Sequence, residues 1–404
     1  MKQTYQRPAD TWSPLYFLAS IGAGGLAVTF FMFLLFWVPH PGQPVPVFED
    51  IAAAFGSGTM ISKAMIVIAA AGIATFAFLN IKLLVWNLRQ LAAFKSTDAY
   101  QKLLNSNAET QLLAMPLALA MTVNASFIVG LVFVPGLWSV VEFLFPAAMV
   151  VFAAISVLAF RLLGRFLGRV LSQGNRFDMD ANNSFAQLLP AFAFIMAAVG
   201  MSAPAAMSTV PTTVGISLIA SLALGTIAIF YALVAGIVAV PAMLKNGVAG
   251  EGAPTLMIIV PLLTIIGIMT MRQEHGLHTT FDAHGGIADN LLLTTTILAL
   301  QFAFLAIGYV VLKKQSYADR FLRGEGRSAG SYALVCPGVA LSVMLHFWIN
   351  KGLVGAGVIT KFGVAYWSLS AFAIAAQVAM IALVFALHRR HFARRVVAEA
   401  IPAE

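Results

Sequence analysis

The sequence predicts an all-α polytopic membrane protein with ten transmembrane helices. Its composition indicates this class, because 60% of the residues are hydrophobic and only 10% are charged, whereas a soluble protein carries about 25% charged residues. Several apolar runs also exceed the ~20 residues that an α-helix needs to cross a bilayer. The connections between these runs are too short to hold a soluble domain, so we expect residues 1–404 to form a single transmembrane domain.

Ten apolar segments can be delimited, and we number them one to ten in chain order. Their expected limits are 14–38, 60–88, 111–134, 138–163, 184–207, 214–240, 255–272, 290–312, 331–350 and 364–388. Each is compatible with a membrane-spanning α-helix by length and by its lack of charged residues.

The distribution of positive charge predicts the orientation of the chain. Of the 24 Lys and Arg residues, 20 lie at the two termini and in the connections that lead from an even to an odd segment. The other four are Lys63, Arg272, Lys351 and Lys361. Because basic residues accumulate on the cytoplasmic side, we expect a multi-pass protein of the cell (inner) membrane with both termini in the cytoplasm. The basic runs then face anionic lipid head groups, and no nucleic-acid partner is expected.

Each odd-numbered segment carries a proline near its beginning. These prolines are Pro14, Pro116, Pro190, Pro261 and Pro337. Small or weakly polar residues follow them, and the candidates to line a path are Ser20, Gly24, Thr122, Asn124, Ser126, Gly200, Thr264, Gly267, Gly338 and Ser342. Carbonyls freed by a proline are tolerated in a membrane only beside protein or water. We therefore expect five tandem helical hairpins around a central pore, with kinked odd helices inside and even helices outside.

An alternative interpretation of these residues remains open. Proline and glycine are common in membrane helices, and small residues often serve close packing between helices without lining any path.

The hairpin pattern and two local stretches resemble the tellurite-resistance/dicarboxylate transporter family, which includes plant slow-type anion channels and fungal malate and sulfite transporters. The stretches are NNSFAQLLPAFAFIMAAVGMSAPAAM, similar to the family's fifth helix, and CPGVALSVMLHFWINKG, similar to its ninth. The resemblance implies a quasi-fivefold helical barrel, a homotrimer with one pore per subunit, and passage of small anions. In that family a phenylalanine just before a glycine of the ninth helix closes the pore. This chain has Pro337 before Gly338, so the candidates for a gate are Phe127, Phe194 and Phe347.

The residue types of the odd segments suit weak binding of an anion. Hydroxyl and amide donors replace part of the hydration shell of an ion, and no fixed cation is expected deep in these segments. Lys63, Arg272 and Lys351 are expected at the outer mouth, where they attract anions or serve as ordinary interfacial charges. His346 lies within an apolar segment and is a candidate for a role in the pore or in pH sensing.

Two further functions remain open. One is a proton-coupled secondary transporter of a carboxylate or oxyanion, of the malate, sulfite or tellurite type. The other is a metal-handling membrane protein, because His275, His278 and His284 lie within ten residues of the chain, although their spacing matches no strong metal motif. The chain carries no GxSxG, HExxH or Walker motif, so we expect neither an enzyme nor a cofactor.

Overall fold

A computed structural model of the chain describes residues 9–174, 176–283 and 286–392, with the exception of the Ile287 side chain. Every regular element in this part of the chain is a helix. Thirteen α-helices, α1 to α13, follow in order: Phe17–Trp37, Phe48–Ser57, Met60–Phe94, Asp98–Leu104, Ala114–Phe133, Val141–Ser172, Leu189–Met201, Ala203–Met207, Pro211–Asn246, Ile259–Phe281, Ile287–Lys314, Val335–Phe347 and Val364–Phe392.

Ten helical stretches are long and apolar enough to cross a membrane. These spans are Pro14–Trp37, Met60–Phe94, Asn107–Phe133, Leu137–Ser172, Phe185–Met207, Pro211–Asn246, Ala253–Phe281, Ala288–Lys314, Ala329–Val354 and Val364–Phe392. They match the ten predicted segments one to one, which confirms a multi-pass, all-α membrane protein. The observed spans differ from the predicted segments mainly in where they end. Span seven continues to Phe281 instead of ending at 272, since its polar residues from Arg272 onward remain helical.

The odd-numbered spans are the more deeply buried ones. In the most apolar stretch of each odd-numbered span, 50–94% of the residues are buried, against 17–39% in each even-numbered span. The exposed faces of the even-numbered spans carry large apolar side chains such as Phe143, Ile219 and Phe372. Such a surface is suited to lipid, because a soluble monomer rarely exposes apolar patches of this extent.

Contacts among the odd-numbered spans close into a ring. Helix α1 packs on α5, α5 on α7, α7 on α10, α10 on α12, and α12 returns to α1. Each even-numbered span packs on the outside of this ring: α3 on α1, α6 and α9 on α7, α11 on α10, and α13 on α12.

A turn of 3₁₀-helix leads into each of α1, α5, α7, α10 and α12. The turns are Pro14–Tyr16, Asn107–Leu113, Phe185–Leu188, Ala253–Met257 and Ala329–Leu334. In four of them a serine hydroxyl accepts a hydrogen bond from the backbone N–H two residues later, which defines where the turn begins. These serines are Ser13, Ser106, Ser184 and Ser328.

The five early prolines lie where these helices begin and not in helix interiors, where a proline kinks a helix. Pro14 begins its 3₁₀ turn, Pro190 is the second residue of α7, and Pro116, Pro261 and Pro337 are the third residues of α5, α10 and α12. A first turn lacks most intrahelical acceptors for its N–H groups, so proline is tolerated there without loss of a hydrogen bond. The prolines therefore mark the junction between 3₁₀ turn and α-helix.

A break does occur in span five, at a proline outside that set. Pro204 is the second residue of α8 and has no N–H, so the hydrogen-bond ladder of α7 does not run on unbroken into α8. Near the end of α7, the carbonyl oxygen of Val199 accepts from the Ser202 hydroxyl at 2.8 Å and from Nη1 of Arg272 at 2.7 Å. A backbone carbonyl near this break is therefore hydrogen-bonded by the Arg272 side chain of span seven.

Candidate functional site

A cavity of about 860 Å³ lies inside the ring of odd-numbered spans. All five of these spans contribute to its wall, and it reaches the even-numbered span α6 through Phe145 and Phe152. Lining residues of the odd-numbered spans include Gly22 and Phe31 of α1, Asn124 and Phe127 of α5, Phe192 and Met196 of α7, Thr264 and Ile268 of α10, and Val339 and Val343 of α12. Most of the wall is therefore apolar, with a few polar groups.

The cavity is open at one end of the bundle. The odd-numbered spans end there, and the exposed side chains of Glu274, His275, His278, Asp289 and Lys351 line it. We call this end the mouth. Acidic and basic groups are both present at the mouth.

The opposite end of the cavity is closed by a buried layer that contains Phe192, Pro261 and Cys336. The same three residues also line a second void of about 20 Å³ on the far side of that layer, beside Leu15 and Leu189. Phe192 is only 2% exposed. The layer thus separates the large cavity from the end of the bundle at which the odd-numbered spans begin.

Part of the predicted pore-lining set reaches the cavity. These residues are Asn124, Gly200, Pro261 and Thr264, together with the gate candidates Phe127 and Phe347 and the mouth candidates Arg272 and Lys351. The candidate metal ligands His275 and His278, which lie on α10, also line it.

The other predicted residues do not line the cavity. They are Pro14, Ser20, Gly24, Pro116, Thr122, Ser126, Pro190, Gly267, Pro337, Gly338, Ser342, Phe194, His346 and Lys63. Several of the small and polar residues join neighbouring helices instead, as the alternative interpretation of the sequence had it.

Hydrogen bonds connect the small polar residues of odd-numbered spans to the outer helices. The Ser20 hydroxyl donates to the carbonyl oxygen of Asn80 on α3 at 2.9 Å, and the Asn80 amide donates back to the carbonyl of Ser20 at 2.7 Å. The Ser342 hydroxyl donates to the carbonyl oxygen of Ala373 on α13 at 2.8 Å. These contacts satisfy polar groups within the membrane, where no water competes for them.

The glycines outside the cavity wall allow close contact between helices. A Cβ atom at Gly24 would meet Met121 and Asn80, and one at Gly267 would meet Ile297 and Met344. Because glycine has no side chain, these helices can pack closely, which is the usual role of glycine in membrane helix bundles.

Arg272 lies within α10 and does not end it, although the predicted limit at 272 implied that it would. It lies nine residues before the end of α10, which is about 14 Å at 1.5 Å per residue. Its guanidinium lines the cavity, and the bond from Nη1 to the Val199 carbonyl holds it against span five. Arg272 therefore lies in the cavity wall two residues before the mouth residue Glu274.

His346 is buried in an aromatic enclosure beside the cavity. Its ring lies 5.7 Å from that of Phe33 and 6.0 Å from that of Trp37, measured between centroids. Neither ring nitrogen has a hydrogen-bond partner among the described residues. The position is set by a chain of hydrogen bonds in which Tyr366 donates to Asn350 and Asn350 donates to the carbonyl of His346.

Lys351 belongs to a basic group near the mouth. Partial desolvation, and then the neighbouring Lys351 ammonium, holds the pKa of Lys361 below its ordinary value. Lys63 lies elsewhere, with its ammonium 5.8 Å from the centre of the Phe55 ring.

The three candidate metal ligands are only partly described, because His284 lies outside the described residues. His275 and His278 lie on α10 and not in a loop. Among the residues that are described, no group of three or more His, Cys, Asp or Glu residues is placed to hold a metal ion. His275 and His278 instead border the mouth of the cavity.

Comparison of the chain with models of known protein families and with curated protein sequences finds no match.

Proposed function

We propose that this chain is an anion channel and that anions pass through the central cavity. The observation that carries the proposal is a cavity of about 860 Å³ to which all five odd-numbered spans contribute and whose wall holds the cation Arg272. An anion that leaves water needs donors that replace part of its hydration shell. Arg272, the Asn124 amide and cavity water provide such donors, while the apolar remainder of the wall binds an ion weakly enough to release it.

In this proposal the layer of Phe192, Pro261 and Cys336 is the gate. Apolar constrictions stop ions by excluding water from a short stretch of the path. Phe192 has the largest side chain of the three residues that line both voids, so we take its ring as the main obstacle between them. The gate thus lies near the end of the bundle at which the odd-numbered spans begin, and its main side chain, Phe192, belongs to span five.

The second candidate is the proton-coupled secondary transporter of a carboxylate or oxyanion. One observation favours it: the cavity is open at the mouth and closed at the other end, which is also the geometry of a transporter that exposes its site to one side at a time. The ring of contacts among odd-numbered spans and the outer position of the even-numbered spans support five hairpins around this path.

The family, orientation and assembly belong to the same proposal. The resemblance to the tellurite-resistance/dicarboxylate transporter family suggests a homotrimer with one path per subunit. The charge distribution favours the cell membrane with both termini in the cytoplasm, which places the mouth outside. Mass measurement of the detergent-solubilised complex checks the trimer.

Anion flux into liposomes tests the proposal. Purified protein is reconstituted, and chloride and nitrate fluxes are followed with a potassium ionophore to carry the counter-charge. A channel gives flux that follows the anion gradient alone. Strict dependence on a proton gradient would instead support the secondary transporter. No flux above that of protein-free liposomes would contradict both the channel and the transporter.

A further inference from the structure

We propose that the cavity contains a built site for an organic anion with an apolar body, in which Arg272 and Asn124 hold the anionic head group. The inference rests on the proposed function and names the class of ligand that the path prefers. Its ligands are carboxylates or sulfonates that carry a short hydrocarbon chain, in contrast to simple halides.

The first step of the argument is that Arg272 has no acidic partner. The ion pairs of the described residues are Arg165–Glu109, Arg169–Glu109, Lys245–Asp180 and Arg323–Asp319. Arg272 is in none of them, so no carboxylate oxygen of the described chain lies within 4.0 Å of its nitrogens. A cation inside a membrane span without a counter-charge is costly and usually functional. An anionic ligand supplies the missing charge.

The second step is that Arg272 is held in position for a ligand. One nitrogen donates to the Val199 carbonyl at the break of span five, and the guanidinium faces the cavity. A guanidinium carries five N–H donors in a planar fork that matches the two oxygens of a carboxylate or sulfonate. The bond to Val199 therefore fixes the side chain and leaves donors for an oxyanion.

The third step is that a second donor in the cavity wall contacts the same helix, α7, as Arg272 does. Asn124 lines the cavity, and its amide approaches the Met196 carbonyl oxygen at 3.5 Å, which is long for a hydrogen bond. Met196 and Val199 are three residues apart on α7, so their carbonyls lie about one helical turn apart on that helix. Arg272 and Asn124 thus reach carbonyls about one turn apart on α7 from two neighbouring spans, and both line the cavity.

The fourth step concerns the remainder of the wall. Met196, Ile265, Ile268 and Val343 line the cavity together with aromatic rings. A volume of about 860 Å³ lies within the range of sites for small organic molecules, which are mostly apolar with few polar groups. A halide leaves most of this surface uncovered, whereas a hydrocarbon chain removes it from water. We therefore expect affinity to rise with chain length.

Calorimetric titration of the full chain in detergent tests the inference. The probes are chloride, methanesulfonate and butanesulfonate, because sulfonates stay ionised and do not cross bilayers or enter micelles as neutral acids. We expect butanesulfonate to bind more tightly than methanesulfonate by about three- to four-fold for each added methylene, and chloride to bind weakest.

Three variants separate the contributions. Arg272→Gln removes the charge and should weaken butanesulfonate binding by about ten-fold or more. Arg272→Lys keeps the charge but loses the fork, so chloride binding should stay while sulfonate binding falls. Lys63→Gln is the matched control, since it removes a positive charge outside the cavity and should bind like the wild type. Thermal unfolding of each variant shows that it is folded.

The inference is overturned if Arg272→Gln binds butanesulfonate like the wild type, or if chain length leaves the affinity unchanged. These failures differ from a failure of the proposed function. Chloride flux in liposomes without sulfonate binding would refute only the ligand class, whereas sulfonate binding without any anion flux would refute only transport.

Discussion

The ring of Phe194 packs against the ring of Phe160 on α6, with centroids 4.5 Å apart and planes at 47°. Two residues earlier on α7, Phe192 lies in the layer that closes the cavity. Both side chains are almost fully buried, at 0% and 2% exposure respectively. Because residues two apart on a helix point to different sides, one phenylalanine packs outward and the other closes the path.

This pair yields the first prediction. Phe192→Ala should raise chloride flux into liposomes several-fold, because it opens the apolar layer between the two voids. Phe194→Ala removes a ring of the same size from the same helix and carries a similar packing loss of about 3–5 kcal/mol, but it should leave the flux unchanged. Equal fluxes in the two variants would show that Phe192 is not the gate.

Gly276 yields a prediction about stability. A Cβ atom at this position of α10 would collide with the carbonyl oxygen of Ala205 on α8, and a backbone atom cannot move aside as a side chain does. Gly276→Ala should therefore lower the free energy of unfolding by about 1–3 kcal/mol. Gly236→Ala on α9 is the matched control, since nothing lies within 4 Å of a Cβ there, and it should not destabilise the protein. Denaturation in detergent measures both.

Glu109 forms the best-buried ion pairs of the described chain. Its carboxylate is 2% exposed and accepts from Nε of Arg165 at 2.7 Å and from Nη2 of Arg169 at 2.9 Å. Glu109→Gln should cost about 1–3 kcal/mol of stability, because charged hydrogen bonds are lost at a buried site. A loss no larger than that of a surface pair would contradict this role.

Asp180 forms an exposed ion pair and serves as the control for the buried ion pairs of Glu109. The Lys245 ammonium, 2.7 Å away, donates to the carboxylate and holds the pKa of Asp180 below its ordinary value. Because the pKa of Asp180 is lower in the folded protein, the pair stabilises the fold at pH values above the ordinary pKa of an aspartate. This contribution is lost as the pH falls through the lowered pKa of the folded state. Solvent screens the pair, so Asp180→Asn should leave the stability at neutral pH unchanged in the same denaturation assay.

The orientation of the chain gives a prediction for labelling. Cys336 is the only cysteine and is buried, so an introduced exposed cysteine dominates the signal. An impermeant maleimide applied to intact cells should label Thr360→Cys, which lies at the mouth end between α12 and α13. Lys314→Cys, at the end of α11, should be labelled only after the membrane is opened. The reverse pattern would refute cytoplasmic termini.

The number and approximate positions of the spans could be predicted from the sequence, because hydropathy depends on composition and needs no knowledge of neighbours. The helix ends could not, since span seven runs nine residues past its predicted limit. The side of each helix that faces the cavity could not. Ser342 and Gly338 follow Pro337 as expected for a path, yet Ser342 bonds to Ala373 on α13 and Gly338 packs against Met380. Small polar residues serve packing and lining equally well, and only the positions of the neighbouring helices decide between them.

The sequence predicts Arg272 at the mouth because a charge usually ends an apolar segment. The helix continues for nine residues beyond it, and the bond to Val199 is made near the break at Pro204 in a different span. The break lies in the stretch MSAP, which ends at Pro204. A proline late in one span does not indicate which side chain of another span bonds near it. Phe192 was missed for a similar reason, since Phe192 and Phe194 alternate in LPAFAF and the sequence does not distinguish their directions.

Chloride flux through liposomes that contain the purified wild-type chain tests the central claim most directly. With the counter-charge carried by a potassium ionophore and with equal pH on both sides, the cavity should pass chloride above the protein-free rate, and Phe192→Ala should pass it faster. A rate equal to that of protein-free liposomes for both proteins would contradict a path for anions through this cavity.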